Sequence, residues 1–207
     1  MLLVGILLVA GLGLIVVEAV GYSRGGYDGK FWKLPLDDQL DHVAVHKWEW
    51  WWVSIWELVG LFLVTGGLAG LTYLLSEAGE PVLAFVAFGG YLVALFTWVL
   101  ALITQAAAMS RAANQRTETG ETPSWVHPFR DAGYLAEGAW ILGTNIAYAV
   151  VGVAILQSGL VATWSGWAAI GLGVLIPVVV LVTRVGFPQL GLLVPFIVGI
   201  SVIIESF

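Results

Sequence analysis

Long runs of apolar residues, separated by short polar stretches, dominate the pattern of this chain. Six such runs cover residues 2–20, 50–75, 81–109, 134–157, 161–183 and 187–206. A helix rises 1.5 Å per residue, so ~20 residues cross ~30 Å of hydrocarbon, and each run meets or approaches that length. Between Val82 and Ile103, Thr97 is the only polar side chain apart from the aromatic residues, so the alternation typical of a membrane β-strand is missing. The pattern therefore predicts six transmembrane helices.

The predicted fold is all-α: a polytopic membrane protein with one domain over residues 1–207, formed by a bundle of six transmembrane helices. Hydrophobic residues make up 59% of the chain and charged residues 11%, about half the charged share of a soluble domain. The first run has neither a basic start nor an A-x-A cleavage site, so we interpret it as a retained first span. The absence of cysteine excludes disulfides, thiol catalysis and thiolate metal sites.

The positive charges predict the orientation of the bundle. All eight Lys and Arg residues lie in alternate connections, covering 21–49, 110–133 and 184–186: Arg24, Lys30, Lys33, Lys47, Arg111, Arg116, Arg130 and Arg184. Because cationic loops resist translocation, we expect these three loops to be cytoplasmic and both termini to lie outside, in the cell membrane. The net charge of −6 and the lack of a basic stripe exclude a nucleic-acid partner.

The first inner loop, residues 21–49, predicts a short amphipathic helix before the second span. Pro35 precedes an acidic stretch suited to a helix N-terminus. Apolar Leu36, Leu40 and Val43 then fall on one side, opposite Asp38, Asp41, His42 and His46. The run Asp37–Asp41 also matches the DDxxD spacing with which prenyl-diphosphate enzymes hold magnesium, although an acidic helix N-terminus accounts for it as well.

Five tryptophans follow this loop within nine residues, at Trp48, Trp50, Trp51, Trp52 and Trp56. Tryptophan favours the lipid headgroup level, because its ring is apolar while its N–H needs a polar partner. We interpret the cluster as the interface anchor of the second span. A stacking platform for a flat cofactor is the alternative interpretation.

Two histidines in the same region are candidates for a metal site. His42 and His46 are four residues apart and share a helix face, which continues through Glu49. Two imidazoles and a carboxylate could bind a divalent transition metal. The competing interpretation is a hydrated interfacial face whose histidines contact water and lipid phosphate.

Polar residues within the apolar runs are the candidates for a ligand or proton site. Glu57 lies about seven residues inside the tryptophan belt, roughly 10 Å below the interface. The fourth run carries a stripe with Glu137, Asn145 and Tyr148, and the predicted topology places the further candidates Gln105 and Arg184 in the same half of the bilayer. These groups either fix helix packing through hydrogen bonds and neutralisation by Arg184, or line a pocket open to the cytoplasm.

Small residues offer sites for close helix packing. Gly66 and Gly70 form a GxxxG pair, and Gly143 with Ala147 forms a similar pair on the fourth run.

No catalytic motif is present, so the leading functional prediction is a non-catalytic membrane subunit or scaffold. It would pack in a larger membrane complex or bind a small lipophilic molecule, such as a lipid, quinone or pigment, near the cytoplasmic face. Its expected partners are membrane lipids and other membrane protein subunits, and the sequence names no cofactor. One alternative is a small proton- or cation-coupled transporter using Glu57 and Glu137. Another is a metal-dependent lipid enzyme using His42 and His46.

Overall fold

The computed structural model describes residues 1–27, 30–183 and 192–207, and the regular structure in these ranges is entirely helical. The helices are α1 (Leu2–Gly25), α2 (Leu36–Val45), α3 (Lys47–Glu77), α4 (Pro81–Thr119), α5 (Val126–Ser158), α6 (Thr163–Thr183) and α7 (Leu193–Ile204), and a 3-10 turn covers Phe31–Lys33. The predicted all-α class is confirmed.

Within the described ranges, four helices, α3 to α6, are long and apolar enough to cross a membrane. Shorter apolar stretches cover Leu2–Leu14 in α1 and Leu193–Ile204 in α7. The chain thus has the helices of a multi-pass membrane protein. The six-span count stays a prediction, with α1 and α7 as its first and last spans.

Helix α1 and helices α3 to α7 form a closed ring. Helix α3 packs between α1 and α4, helix α5 packs between α4 and α6, and α7 contacts both α6 and α1. The connections 78–80, 120–125 and 159–162 are short, so the helices that they join run antiparallel. The ring brings α3, α4 and α5 side by side, and these three helices carry most of the buried polar groups discussed below.

Glycine and alanine allow several of these helices to approach closely. At the contact of α3 with α1, a Cβ added to Gly67 would lie 2.7 Å from Leu8, and one added to Gly70 would lie 2.6 Å from Val4. The predicted Gly66 has more room, with its nearest neighbour, in Leu7, at 3.7 Å. The tight pair on α3 is therefore Gly67 with Gly70, because the rotation of α3 turns Gly66 partly away from α1.

The predicted pair on α5 does lie at a helix contact. A Cβ on Gly143 would lie 2.8 Å from Ala94 of α4, and Gly90 of α4 faces Ala147. Small residues from both helices thus meet along this contact, which favours close backbone packing.

A cap covers one end of the ring; we use this name for Tyr27, the turn Phe31–Lys33 and helix α2. Helix α4 has 39 residues, which at 1.5 Å each give about 58 Å, far more than the hydrocarbon thickness. Its C-terminal part, with Met109, Ala112 and Ala113, packs against the cap. As predicted, α2 is amphipathic and buries Leu36, Leu40 and Val43.

Candidate functional site

Glu57 is buried inside the ring and hydrogen-bonded. It belongs to the buried stripe of α3, next to Val53, Ser54 and Leu61, and its side chain is 9% exposed. The indole Nε1–H of Trp98 on α4 donates to Glu57 Oε1 at 2.8 Å. The helical spacing of α3 therefore places a carboxyl group where lipid cannot reach it, and one indole fixes its orientation.

Glu137 on α5 is an acidic neighbour of Glu57. It is half-buried, and its carboxyl group is close enough to act on Glu57 electrostatically. Ion pairs within the described ranges join Arg116 to Asp37 and Asp41, and Arg130 to Asp131; neither glutamate takes part. The two carboxyl groups therefore share a low-dielectric environment without a described cation beside them, which makes the charged form costly.

Gln105 lies on the same side of α4 as Trp98, about two turns nearer the cap. It is 8% exposed and packs over Gly133 of α5, where an added Cβ would lie 2.6 Å from its Oε1 atom. Glycine at position 133 thus makes room for the amide between the helices. Glu18 is buried in α1, while the candidate Arg184 lies outside the described residues.

The polar residues further along α5 are fully buried but lie at a different level. Thr144 donates to the carbonyl oxygen of Trp140 at 2.6 Å, and Asn145 Nδ2 donates to that of Ile141 at 2.7 Å. Tyr148 is eleven residues beyond Glu137, about 16 Å along the helix axis. Its ring lies 6.0 Å from that of Tyr91 on α4. The predicted stripe therefore reaches two different depths of the bundle. We call the depth of Glu57 the carboxyl level and the depth of Tyr148 the hydroxyl level.

Two residues that matter at these levels were not among the predicted candidates. Trp98 binds Glu57, and Tyr91 pairs with Thr65 of α3 at 3.2 Å. The sequence could have identified Trp98 by its depth in the apolar run. A tryptophan there is remote from the interface, where its N–H is normally satisfied, and so needs a polar partner inside the bundle.

The cap accounts for the acidic run of the first loop. Arg116 of α4 binds both carboxylate oxygens of Asp41 at 2.7 and 3.1 Å and approaches Asp37 at 3.4 Å. Thr122 also donates to Asp37 at 2.7 Å. These hydrogen bonds from Arg116 hold the pKa of Asp41 below its usual range. Two carboxylates of the DDxxD match are thus bound to an arginine.

His42 and His46 lie in the cap with their rings 4.8 Å apart. A ring nitrogen of His42 is hydrogen-bonded to the carbonyl oxygen of Gly25. The half-buried Glu49 lies on the following turn, at the start of α3. Among the residues that the structure describes, no three His, Asp or Glu side chains gather as a metal site would require. The metal hypothesis stays a prediction based on the two histidines.

The tryptophan cluster is divided between two environments. The rings of Trp48, Trp52 and Trp56 follow one another along one face of α3, at 6.1 and 5.5 Å, and Trp48 is 69% exposed. Trp50 points the other way, is 5% exposed and donates to the carbonyl oxygen of Ala106 at 3.1 Å. Trp50 therefore joins the cap to α4. Trp52 donates to the carbonyl oxygen of Val17 on α1 at 3.2 Å and so contacts α1, which leaves Trp48 as the exposed ring of this series.

No family model, curated protein or solved structure matches this chain. Any functional assignment must therefore come from the chemistry of the residues described above. The carboxyl level at Glu57 is the strongest starting point, because it combines burial, a fixed orientation and a second acid.

Proposed function

We propose that this protein is a non-catalytic membrane protein that binds a small lipophilic molecule, such as a lipid, quinone or pigment, with Glu57 and Glu137 as its polar contacts. The observation that carries the proposal is the buried Glu57 carboxyl group, held by Trp98 beside Glu137 and outside every described ion pair. An acid placed this way costs folding free energy, and such acids in membranes commonly mark ligand or proton sites.

The chemistry of the pair suits a ligand with one polar end. A protonated carboxyl group donates to a carbonyl oxygen, and an ionised one accepts from a hydroxyl or ammonium group. Trp98 binds one oxygen of Glu57 and so orients the group before a ligand arrives. Preorganisation of this kind lowers the entropic cost of binding. The apolar walls of α3, α4 and α5 would bury the rest of the molecule.

The outer faces of the ring would contact lipid and, in this proposal, other membrane protein subunits. Large apolar side chains cover the outward side of α3 and α4, including Phe62, Phe85, Val93 and Phe96, which are 62% to 72% exposed. Such faces need an apolar environment, and a larger membrane complex provides it as well as a bilayer does.

The proposed orientation places the cap in the cytoplasm, with six spans and both termini outside. Because the chain has no cysteine, single cysteines can report it cleanly. In intact cells, a membrane-impermeant maleimide should label Ala78→Cys in the α3–α4 connection and spare Ser124→Cys in the α4–α5 connection. The reverse labelling would overturn the orientation.

The ligand is tested by purifying the protein from its native membrane and identifying bound small molecules by mass spectrometry and absorption spectroscopy. We expect one compound to be retained by the unmodified protein and by the control Glu77→Gln, an exposed acid at the far end of α3. Glu57→Gln should retain several-fold less of it. Equal retention by all three proteins would contradict the proposal.

A second candidate, a proton- or cation-coupled transporter, is favoured by one observation. Hydroxyl groups at half-buried Thr65 and at buried Tyr91 and Tyr148 continue from the carboxyl level toward the end of the ring that lies opposite the cap. A proton or cation could pass along these groups through the outer half of the bundle, which is otherwise apolar. Proteoliposome flux should fall in Glu57→Gln and Glu137→Gln but not in Glu77→Gln, and unchanged flux in the first two would exclude this mechanism.

A further inference from the structure

At the hydroxyl level, between α3, α4 and α5, the hydrogen-bond donors and acceptors of the hydroxyl groups are not all paired. Thr65 uses its single proton on the carbonyl oxygen of Leu61 at 2.7 Å. In its 3.2 Å contact with Tyr91, Thr65 must therefore accept, and the Tyr91 hydroxyl must donate. Tyr91 is left with acceptor lone pairs and no proton to offer.

Thr72, two turns further along α3, likewise has no free proton to donate. Its hydroxyl donates to the carbonyl oxygen of Leu68 at 2.8 Å, so it too presents acceptor lone pairs alone. Tyr148 of α5 is the opposite case. It is 1% exposed, and its hydroxyl group has no hydrogen-bond partner among the described residues. One buried donor thus faces two hydroxyl acceptors on neighbouring helices.

These three hydroxyl-bearing residues line one small cavity. Its volume is about 10 Å³, and apolar residues including Leu71, Ala87 and Val151 form the remaining wall. A space of this size holds about one water molecule, which needs two to four polar partners.

We propose that this cavity binds one ordered water molecule, which accepts a hydrogen bond from Tyr148 and donates to Tyr91 and Thr72. The donors and acceptors then balance, and the water ties α5 to α4 and α3 at a level where apolar packing surrounds them. The site is distinct from the carboxyl level, and the proposal makes no assumption about a ligand at Glu57.

The first test is a structure of the unmodified protein at a resolution that shows ordered water. Density for one water within about 2.6 to 3.2 Å of Tyr148 Oη supports the proposal. A well-ordered map without density at that position would overturn it.

The second test is thermal unfolding of Tyr148→Phe, with Tyr73→Phe as the control, since Tyr73 is 65% exposed on α3. If the water binds, removing its donor should lower the unfolding temperature by about 2 to 4 °C relative to the control. If the Tyr148 hydroxyl is buried without a partner, removing it relieves a cost, and an unchanged or raised temperature would refute the water site.

Discussion

The cap and the helical ring are held together by different interactions, although α3 and α4 contribute to both. In the cap, aromatic rings pack around Tyr27 and Trp50, and Arg116 binds two aspartates. In the ring, the contacts depend on small residues, as where Gly143 meets Ala94. The charged groups of the cap lie at its exposed rim, whereas polar groups of the ring such as Glu57, Thr144 and Asn145 are buried between helices.

This difference follows from the surroundings of each region. In water, burial of aromatic and aliphatic surface stabilises the cap, and its rim charges remain hydrated. In lipid, apolar helices gain little by leaving the hydrocarbon, so close van der Waals packing and occasional hydrogen bonds hold them together. A buried acid is therefore far more informative in the ring than a charged residue is in the cap. That is why Glu57, rather than the acidic run in α2, carries the functional proposal.

The largest expected effect is a loss of stability when a methyl group is added at a tight helix contact in the ring. In Gly152→Ala on α5, the new Cβ would lie 2.6 Å from the carbonyl oxygen of Gly166 and 2.9 Å from the backbone nitrogen of Ile170. Backbone atoms of α6 cannot give way cheaply, so we expect a loss toward the upper end of ~1–3 kcal/mol in thermal or denaturant unfolding.

Gly171→Ala is the matched control for this change. Gly171 is on α6, and an added Cβ would meet nothing within 4 Å. Since alanine favours helices, this variant should unfold no more easily than the unmodified protein. Similar losses in both variants would mean that close packing of α5 on α6 does not stabilise the ring.

The second-largest effect is expected from Trp98→Phe, which removes the indole N–H donor. The ring volume is largely kept, but Glu57 loses its 2.8 Å hydrogen bond. We expect the free energy of unfolding to fall by about 1–2 kcal/mol, as for other buried groups left without a partner. Retention of full stability would show that the bond contributes nothing to folding.

A smaller effect is expected in the cap from Arg116→Ala, which frees Asp37 and Asp41. The aspartate side chains are 56% and 60% exposed, so the change should have little effect on global stability. Hydrogen exchange at α2 should nevertheless accelerate, while exchange in α5 stays the same. Lys33→Ala, at an exposed position of the cap, is the control, and equal exchange at α2 in both variants would contradict this role of Arg116.

The smallest effect is a dependence of the cap on pH. The hydrogen bonds from Arg116 lower the pKa of Asp41 in the folded cap, so folding favours the ionised form. This stabilisation is present above the unfolded value of ~3.9 and is lost as the pH falls through the lower folded value. Pepsin cleavage within α2 should accelerate below about pH 4 in the unmodified protein. Identical pH profiles in the unmodified protein and Arg116→Ala would contradict the linkage.

Periodicity was sufficient to predict the helices but not their partners. Apolar runs located α3 to α6, and the alternation of faces identified the buried residues Leu36, Leu40 and Val43 of α2. These properties depend on residues close together in the chain. The Trp98–Glu57 and Arg116–Asp41 bonds join residues 41 and 75 positions apart.

The rotation and neighbours of each helix decide such contacts, and a single sequence leaves both undetermined. The same reason explains why Gly67, and not the predicted Gly66, meets Leu8 of α1. The separation of Tyr148 from Glu137 could, by contrast, have been predicted from the sequence, because eleven residues span about 16 Å along a helix.

The most direct test of the central claim, that Glu57 is kept for function at a cost to folding, is the unfolding temperature of ligand-free Glu57→Gln. The amide keeps an oxygen to accept from Trp98 and removes the buried acid, so the variant is predicted to unfold at the same temperature as the unmodified protein or higher. A fall of several degrees would contradict the claim and identify Glu57 as a packing element of the ring.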